Sequence, residues 1–355
     1  MMSARKTVFN FLHSVQRGGI ESMFVAYSKL FSELGYQVVC IIPKNFCDKE
    51  QLDNINCHIE FIDIKNYFDV FSALYLRQLI ERYQPVYLLS HNGRSHSLIN
   101  LWRRFFSFNQ KNKVRTIGIC HGCTKRMHSF EQIICVNQRL VDRFRQSGYQ
   151  GKLSNIPCFL PDGINSLAVR ATVKESRAPE FVFGILSRLS EEKNIALAID
   201  ALAEISARHQ SVRFRLLIAG DGACKKALAL AVKTKNLQDK VTFCGWIADV
   251  KAFFNDIDVL LLPSTRESFG RVILEAFQYA TPVIASDTDG PSQIIRHGKN
   301  GLLFGSGNLC ELTENMLDLW SFPELSKRLI ACGQKDLVTF YTETAVKKKL
   351  QDILR

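Results

Sequence analysis

The stretch Asp258-Val259-Leu260-Leu261-Leu262-Pro263-Ser264-Thr265-Arg266-Glu267-Ser268-Phe269-Gly270-Arg271-Val272-Ile273-Leu274-Glu275 changes its hydrophobic period midway. Val259–Leu262 is a short apolar run of strand length, Pro263 interrupts it, and from Phe269 to Ala280 the apolar residues recur at helical spacing. Backbone N–H groups at a helix start lack partners, and Gly270 permits close approach, so this turn suits a diphosphate. Glu275 falls among Ile273, Leu274, Ala276 and Phe277, in a helix expected to be buried almost all round. A carboxylate there costs on the order of several kcal/mol unless it is paired or holds a ligand. A pair of ribose hydroxyls would serve, and so would Arg271 one turn earlier; spacing leaves both open.

Outward from this stretch, strand-like runs alternate with helix-like stretches along the whole chain, the pattern of βαβ units and parallel sheets. In the first half the strand candidates are Thr7–Leu12, Gln37–Ile42, Ile59–Ile62, Val86–Ser90, Val114–Cys120 and Gln132–Val136. A helix over about Ile20–Leu34 ends at Gly35 in the manner of a C-cap. The pattern weakens from Ile156 to Pro179, which reads as a linker. It restarts with strands Phe181–Leu186, Phe214–Ala219, Val241–Cys244, Val259–Leu262 and Pro282–Ala285. Helices are expected over Asn194–Arg208 and from Gly222 to about Lys235. The expected fold is α/β, two doubly wound Rossmann-like domains facing a central cleft: residues 1–165, residues 166–340, and a C-terminal helix over 341–355 that packs back on the first. Open α/β sheets bind ligands outside the carboxyl ends of their strands, so the loops there carry the candidate site.

Length, 355 residues, suits two domains, and 46% hydrophobic with 23% charged residues excludes a disordered or fibrous chain. No run approaches the length of a membrane span, and Met1–Lys6 makes a poor export signal. The expectation is therefore a cytoplasmic protein whose eleven cysteines are reduced. The net charge of +12 is uneven: residues 1–165 hold 21 Lys and Arg against 12 Asp and Glu. Such a half attracts polyanions, whether nucleic acid, anionic lipid headgroups or a phosphorylated glycan.

Glu267 and Glu275, in the context Glu267-Ser268-Phe269-Gly270-Arg271-Val272-Ile273-Leu274-Glu275, resemble the signature of glycosyltransferase family 4, retaining enzymes of the GT-B fold. Further stretches resemble the family's pattern in the same order. They are Ser187-Arg188-Leu189 with Glu192-Lys193-Asn194, Leu217–Gly222, Phe243-Cys244-Gly245, Asp258–Ser264 and Gly298–Phe304. Ser187 stands where glycine is usual, and Pro291 and Gln293 depart from the Asp-x-Gly-Gly stretch and its following glutamate. The resemblance is dense from Phe181 to Phe304 and sparse before it.

The resemblance implies that Arg188 and Lys193 pair with the donor diphosphate as charge grows on the leaving nucleotide. It implies that Glu275 holds the ribose and Glu267 a hydroxyl of the donor sugar, with backbone N–H groups of Ser268, Phe269 and Gly270 assisting. Gly220 and Gly222 belong to its glycine turn on the donor side. Read by themselves, Arg188 and Lys193 are equally a solvated loop beside Glu191 and Glu192.

In the first half, Gly18 and Gly19 follow the first strand and open a helix, where a ligand can approach the backbone. They resemble the family's glycine-glycine loop, which reaches across the cleft toward donor phosphate and acceptor. His121 follows the strand Val114–Cys120, and the resemblance implies that it faces the transferred sugar; its place at the carboxyl end of a strand favours such a role, with an ordinary loop histidine as the alternative. Cys120 and Cys123 have C-x-x-C spacing, but no second pair accompanies them, which argues against zinc. His91, Asn92 and Arg94 follow another strand end and read either as acceptor contacts or as surface polar residues. Leu98–Phe108 interleaves Trp102, Phe105 and Phe106 with Arg103 and Arg104, and Lys111, Lys113 and Arg115 follow. It reads either as an interfacial helix on an anionic membrane or as a core helix with a basic far side.

The expectation is a retaining, metal-independent hexosyltransferase with no cofactor, using a nucleotide-sugar donor, most simply a UDP-sugar. The acceptor would be an anionic glycan or lipid-linked glycan such as lipopolysaccharide core, with peripheral contact to the inner face of an anionic cytoplasmic membrane. Three rivals stand beside it. A glycoside hydrolase also uses two carboxylates but needs no phosphate-binding turn. A sugar-nucleotide epimerase shares the two-domain layout. A nucleic-acid-binding protein would use the basic half, but no nucleic-acid motif is present, and nucleic acid is not expected as a partner.

Overall fold

A computed structural model describes residues 5–106, 114–122, 125–161 and 180–354. The chain divides into two units. The first holds the chain up to Phe159 together with the stretch from Val346; the second runs from Leu160 to Ala345. The sequence-based boundary at 165 and 166 lies outside the described residues.

In the first unit the order is β1 (Thr7–Phe11), α1 (Gly19–Glu33), β2 (Gln37–Ile42), α2 (Lys49–Asp53), β3 (Cys57–Phe61) and α3 (Val70–Tyr83). There follow β4 (Tyr87–Ser90), α4 (Gly93–Phe106), β5 (Arg115–Cys120), β6 (Gln132–Cys135), α5 (Gln138–Gln146) and β7 (Lys152–Asn155). The strands form one parallel sheet in the order β3-β2-β1-β4-β5-β6-β7. β1, β2 and β4 to β6 are almost wholly buried, as expected of strands covered by helices on both faces. α1 ends as expected: Gly35 takes φ +85°, and Tyr36 N–H donates to the Phe31 carbonyl at 3.1 Å.

The second unit begins with β8 (Glu180–Leu186), α6 (Ile195–Arg208), β9 (Arg213–Ala219), α7 (Lys225–Thr234), β10 (Val241–Gly245) and α8 (Val250–Asp256). It continues with β11 (Val259–Leu262), α9 (Arg271–Gln278), β12 (Val283–Ser286), α10 (Pro291–Ile294), β13 (Leu302–Phe304), α11 (Leu309–Ser321) and α12 (Pro323–Phe340). Its parallel sheet has the order β10-β9-β8-β11-β12-β13. α13 (Glu343–Leu354) closes the chain, and its later part belongs to the first unit. There Tyr87 Oη donates to the Leu354 carbonyl, Lys347 pairs with Glu33 at 3.1 Å, and Val346 and Leu350 are fully buried.

Each sheet is built outward in both directions from its first strand. The order therefore reverses beside β1 in one unit and beside β8 in the other, and loops leaving neighbouring strands diverge to leave a crevice at the carboxyl ends. Two strands escaped the sequence reading. β7 is an exposed edge strand, Lys-Leu-Ser-Asn, with no apolar run to announce it. β13 has only three residues. No helix among the described residues is long and apolar enough to cross a membrane.

Candidate active site

In the second unit the loops after β8, β9 and β11 interlock. Ser187 N–H donates to the Ala219 carbonyl at 3.0 Å, Leu189 N–H to Asp221 at 2.9 Å, and Cys224 N–H to Leu189 at 2.9 Å. Gly220 and Gly222 take φ of +130° and +157°, and a Cβ at either would run into the Ser187 or Leu189 carbonyl oxygen. These two glycines thus act on the backbone that carries Arg188. The Arg188 side chain itself is 64% exposed and lies 3.8 Å from Glu192, a loose surface pair.

Lys193 is different. Its Nζ lies 2.5 Å from Glu267 Oε2, and the two side chains are 16% and 15% exposed. This departs from a solvated-loop reading of Lys193. The loops that carry them are tied as well, through Thr265 N–H donating to the Glu192 carbonyl at 2.8 Å. An ammonium has three donors, so one on Glu267 leaves others for an anion. Glu267 is held on its main chain too: Gly290 N–H donates to its carbonyl at 2.8 Å. A Cβ on Gly290 would stand 2.5 Å from the Phe269 carbonyl oxygen and collide with the Phe269 N and Cα, so only glycine permits this approach.

Gly270 caps α9 with φ +88°. Among the described residues the amides of Phe269 and Gly270 donate to no protein acceptor. The Phe269 ring is buried against Tyr341 at 6.2 Å, so its backbone rather than its side chain is what can meet a ligand.

α9 is not buried all round, contrary to the sequence-based expectation. Its 100° step puts Arg271, Glu275 and Gln278 on one half-exposed stripe while Ile273, Leu274, Ala276 and Phe277 face the core. Glu275 is 22% exposed and its carboxylate lies 3.7 Å from Arg271 Nε, beyond hydrogen-bonding range. The Arg271 Nε is itself buried with no acceptor. Burial pushes the Glu275 carboxyl up, and the Arg271 charge opposes this only in part.

In the first unit the Gly18–Gly19 turn is pinned from inside α1: Ser14 Oγ donates to the buried Glu21 carboxylate at 2.5 Å. Gly18 is extended, and a Cβ there would stand 3.1 Å from Glu21 Oε2. Behind it runs a chain of three side chains. Asn10 Nδ2 donates to the Phe24 carbonyl at 3.0 Å, which fixes the amide, so Asn10 Oδ1 accepts from His91 Nε2 at 2.8 Å. His91 Nδ1 is then an acceptor for His121 Nε2–H at 3.3 Å, and the stacked rings lie 5.5 Å apart. His121 is left with Nδ1 as a lone-pair acceptor. Burial holds His121 down to about 3 and His96 to about 4, and holds His91 well below its ordinary value, so all three are neutral.

Sequence reasoning had His91 either touching acceptor or lying on the surface; it is buried, and its role is to hold His121. Asn92 Nδ2 donates to the His13 carbonyl at 2.7 Å, while Arg94 is exposed. Cys120 Sγ donates to the Gly122 carbonyl at 2.8 Å, and Cys123 lies outside the described residues. Two contributors were missed. Asn10 interrupts the apolar strand Thr-Val-Phe-Asn-Phe, and a buried amide in such a run is a readable signal. Gly290 is the glycine kept beside Pro291 in the Asp-x-Gly-Gly stretch, but its role carried no local signal, because its constraint is Phe269, distant in sequence. The structure brings Arg188, Lys193, Gly220, Gly222, Glu267, Ser268, Phe269 and Gly270 to the carboxyl ends of β8, β9 and β11, with Glu275 just over one turn into α9. Gly18, Gly19 and His121 stand at the corresponding ends of β1 and β5.

Residues 171–336 match the family model described as glycosyl transferases group 1. Two similar proteins of Rhizobium meliloti are the lipopolysaccharide core biosynthesis glycosyltransferases LpsE and LpsD. Each is 22% identical to this chain, the first over 94% of this chain and 95% of its own length, the second over 96% of each. Among solved structures, Anabaena Alr3699/HepE in complex with UDP-glucose superposes with a TM-score of 0.83 at 19% identity, covering 99% of both chains. That likeness and the two parallel sheets establish an α/β chain with two Rossmann-like units, of the GT-B fold class.

Proposed function

We infer, for a chain whose residues 171–336 match the group 1 glycosyl transferase model, that it moves a sugar from a nucleotide-sugar to a glycan or lipid-linked acceptor with retention at the anomeric carbon. The observation that carries the reading is the Lys193–Glu267 pair at the mouth of the turn before α9, where unpaired amides, an ammonium and a carboxylate converge. A UDP-sugar is the preferred donor, supported by the UDP and UDP-glucose in the HepE complexes. An acceptor of the lipopolysaccharide core type is supported by the Rhizobium relatives, and a peripheral contact with an anionic membrane is part of the same reading.

In this reading Arg188 and Lys193 pair with the diphosphate, and the amides of Ser268, Phe269 and Gly270 add donors. Glu267, oriented by Lys193, accepts from a hydroxyl of the donor sugar. Glu275 accepts from the ribose hydroxyls, which offset the burial of its charge. Gly220 and Gly222 act indirectly, by letting the Ser187–Leu189 backbone sit where Arg188 is needed. In the first unit Gly18 and Gly19 can offer backbone to an anion, and His121 Nδ1 can accept from a sugar hydroxyl. The bond from the anomeric carbon to phosphate breaks as the bond to the acceptor oxygen forms on the same face. The departing phosphate takes the acceptor's proton, so neither a protein nucleophile nor a metal is required.

A thermal-shift panel of UDP-, GDP- and ADP-sugars tests the donor site, because a ligand that binds only the folded state raises its stability by RT ln(1 + [L]/Kd). A rise with UDP-sugars is expected. No rise with any nucleotide would sink the reading.

A further inference from the structure

The first unit carries an apolar face that its own fold leaves bare. α3 buries Ala73, Leu76, Leu79 and Ile80 against the unit. Its N-terminus is firmly capped, with Asp69 accepting from Ser72 N–H and from Lys65 N–H, each at 3.0 Å. On the opposite side Tyr67, Phe68, Val70, Phe71, Leu74 and Tyr75 all face solvent, Phe68 at 81% and Phe71 at 86% exposure. Val70, Phe71, Leu74 and Tyr75 share one side of the first two turns of α3, and Tyr67 and Phe68 precede its cap, so this end of the helix is apolar outward as well as inward, while Gln78, Glu81 and Arg82 make the later turns polar. Single exposed aromatics are ordinary; six exposed apolar side chains within nine residues, four of them on a capped helix, are not.

The patch extends onto α4 and is rimmed with cations. Phe105 is exposed at the end of α4, and the Arg77 guanidinium reaches the neighbouring Phe106 ring at 5.9 Å. The Arg126 guanidinium covers the Tyr67 ring at 3.9 Å, and Arg104 covers Phe105 at 5.7 Å. The acids nearby are already engaged: Glu81 with Arg77 at 2.7 Å, and Glu60 with the Tyr75 and Tyr83 hydroxyls and Arg82. Trp102, which the sequence offered as an interfacial residue, is buried, so the outward surface belongs chiefly to α3.

We propose that this face docks the protein on an anionic bilayer surface, with Phe68 and Phe71 entering the headgroup and acyl boundary while Lys65, Arg104 and Arg126 meet lipid phosphates. Phenylalanine supplies apolar area, tyrosine and arginine suit the interface, and the charge is complementary. A second copy of the chain fits less well, because a two-fold contact through this face would set Arg104 and Arg126 against their own kind. The proposal rests on the membrane contact in the reading above and names the face that makes it; its observations are those of α3 and its rim, and it does not depend on the donor site.

Co-sedimentation of the full chain with vesicles tests it. The protein should pellet with equimolar phosphatidylcholine and phosphatidylglycerol, less so at high salt, and stay in solution with phosphatidylcholine alone. The double variant Phe68→Ser, Phe71→Ser should lose at least roughly tenfold in partitioning, since apolar burial supplies that part of the affinity. Its melting temperature and nucleotide-induced shift should match the wild type, because both side chains are outside the core. Arg104→Glu with Arg126→Glu should remove the preference for anionic lipid. Failure of the wild type to pellet, or undiminished pelleting of the phenylalanine variant, would overturn the proposal. So would a wild-type dimer in solution that the phenylalanine variant abolishes, because the face would then be an interface between copies.

Discussion

Gly290→Ala places one methyl group where the turn before α9 has no room. The added Cβ would stand 2.5 Å from the Phe269 carbonyl oxygen, with the Phe269 N and Cα also too close. Ordinary contact begins near 3.4 Å, so one segment must retreat by about 1 Å. All three obstructing atoms are backbone, and no rotamer change relieves the clash. The retreat also opposes the bond from Gly290 N–H to the Glu267 carbonyl. Overpacking of this kind costs about 1–3 kcal/mol, which for a unit of this size lowers the melting temperature by roughly 2–12 °C. Loss of function should be larger in proportion, since an error of about 1 Å in a positioning element costs on the order of 10²-fold. The assay pairs thermal unfolding with titration calorimetry, using whichever of UDP, GDP or ADP stabilises the wild type. Circular dichroism at the working temperature confirms that the variant is folded. Wild-type affinity and wild-type melting together would refute the argument, because they would mean that the Glu267–Gly270 turn is not held by Gly290.

The charge on Glu275 gives a second test. Its carboxyl is raised by burial, so the stability it contributes is present below its unfolded value and lost as pH rises through the folded one. Glu275→Gln should therefore melt no lower than wild type at neutral pH while losing nucleotide affinity; a large drop in melting temperature would restore the ion pair with Arg271 as its purpose. The histidines act in the opposite sense. His91, His96 and His121 are depressed, so their contribution is complete above about pH 6.5 and fades as pH falls toward about 4 and then about 3. Unfolding should take up protons over that range, and the transfer rate should show no histidine limb near neutrality; such a limb would contradict the neutral relay from Asn10. Lys193→Met strands Glu267 half-buried and should cost about 1–3 kcal/mol, between the limits for exposed and buried pairs, with sugar-nucleotide turnover falling further. Chemical denaturation decides it, and an unchanged midpoint would mean that the pair carries no stability.

The α/β class, the restart of the pattern in the second half and the donor-side turn were legible because they depend on local chemistry. Apolar runs of strand length, helical spacing and glycines at chain reversals act over a few residues. Val259–Leu262 was read to the residue, and α6 and α9 to within two. Local rules falter where the environment lies elsewhere in the chain. Lys152–Asn155 is a strand because Gln132–Cys135 lies beside it, and nothing in its own residues says so. Glu275 looked fully buried because its neighbours are apolar, yet the helical step turns it with Arg271 to a half-open side. Trp102 and Phe68 look alike as aromatic residues near basic ones, and only packing made one core and the other surface. The same holds for the chemistry: sequence marked Glu267, Lys193 and His121, but the contacts of the first two and the tautomer of the third depend on partners distant along the chain. Lys193 meets Glu267 across 74 positions and Asn10 meets His91 across 81, distances over which spacing has no meaning and only the folded sheets bring the groups together.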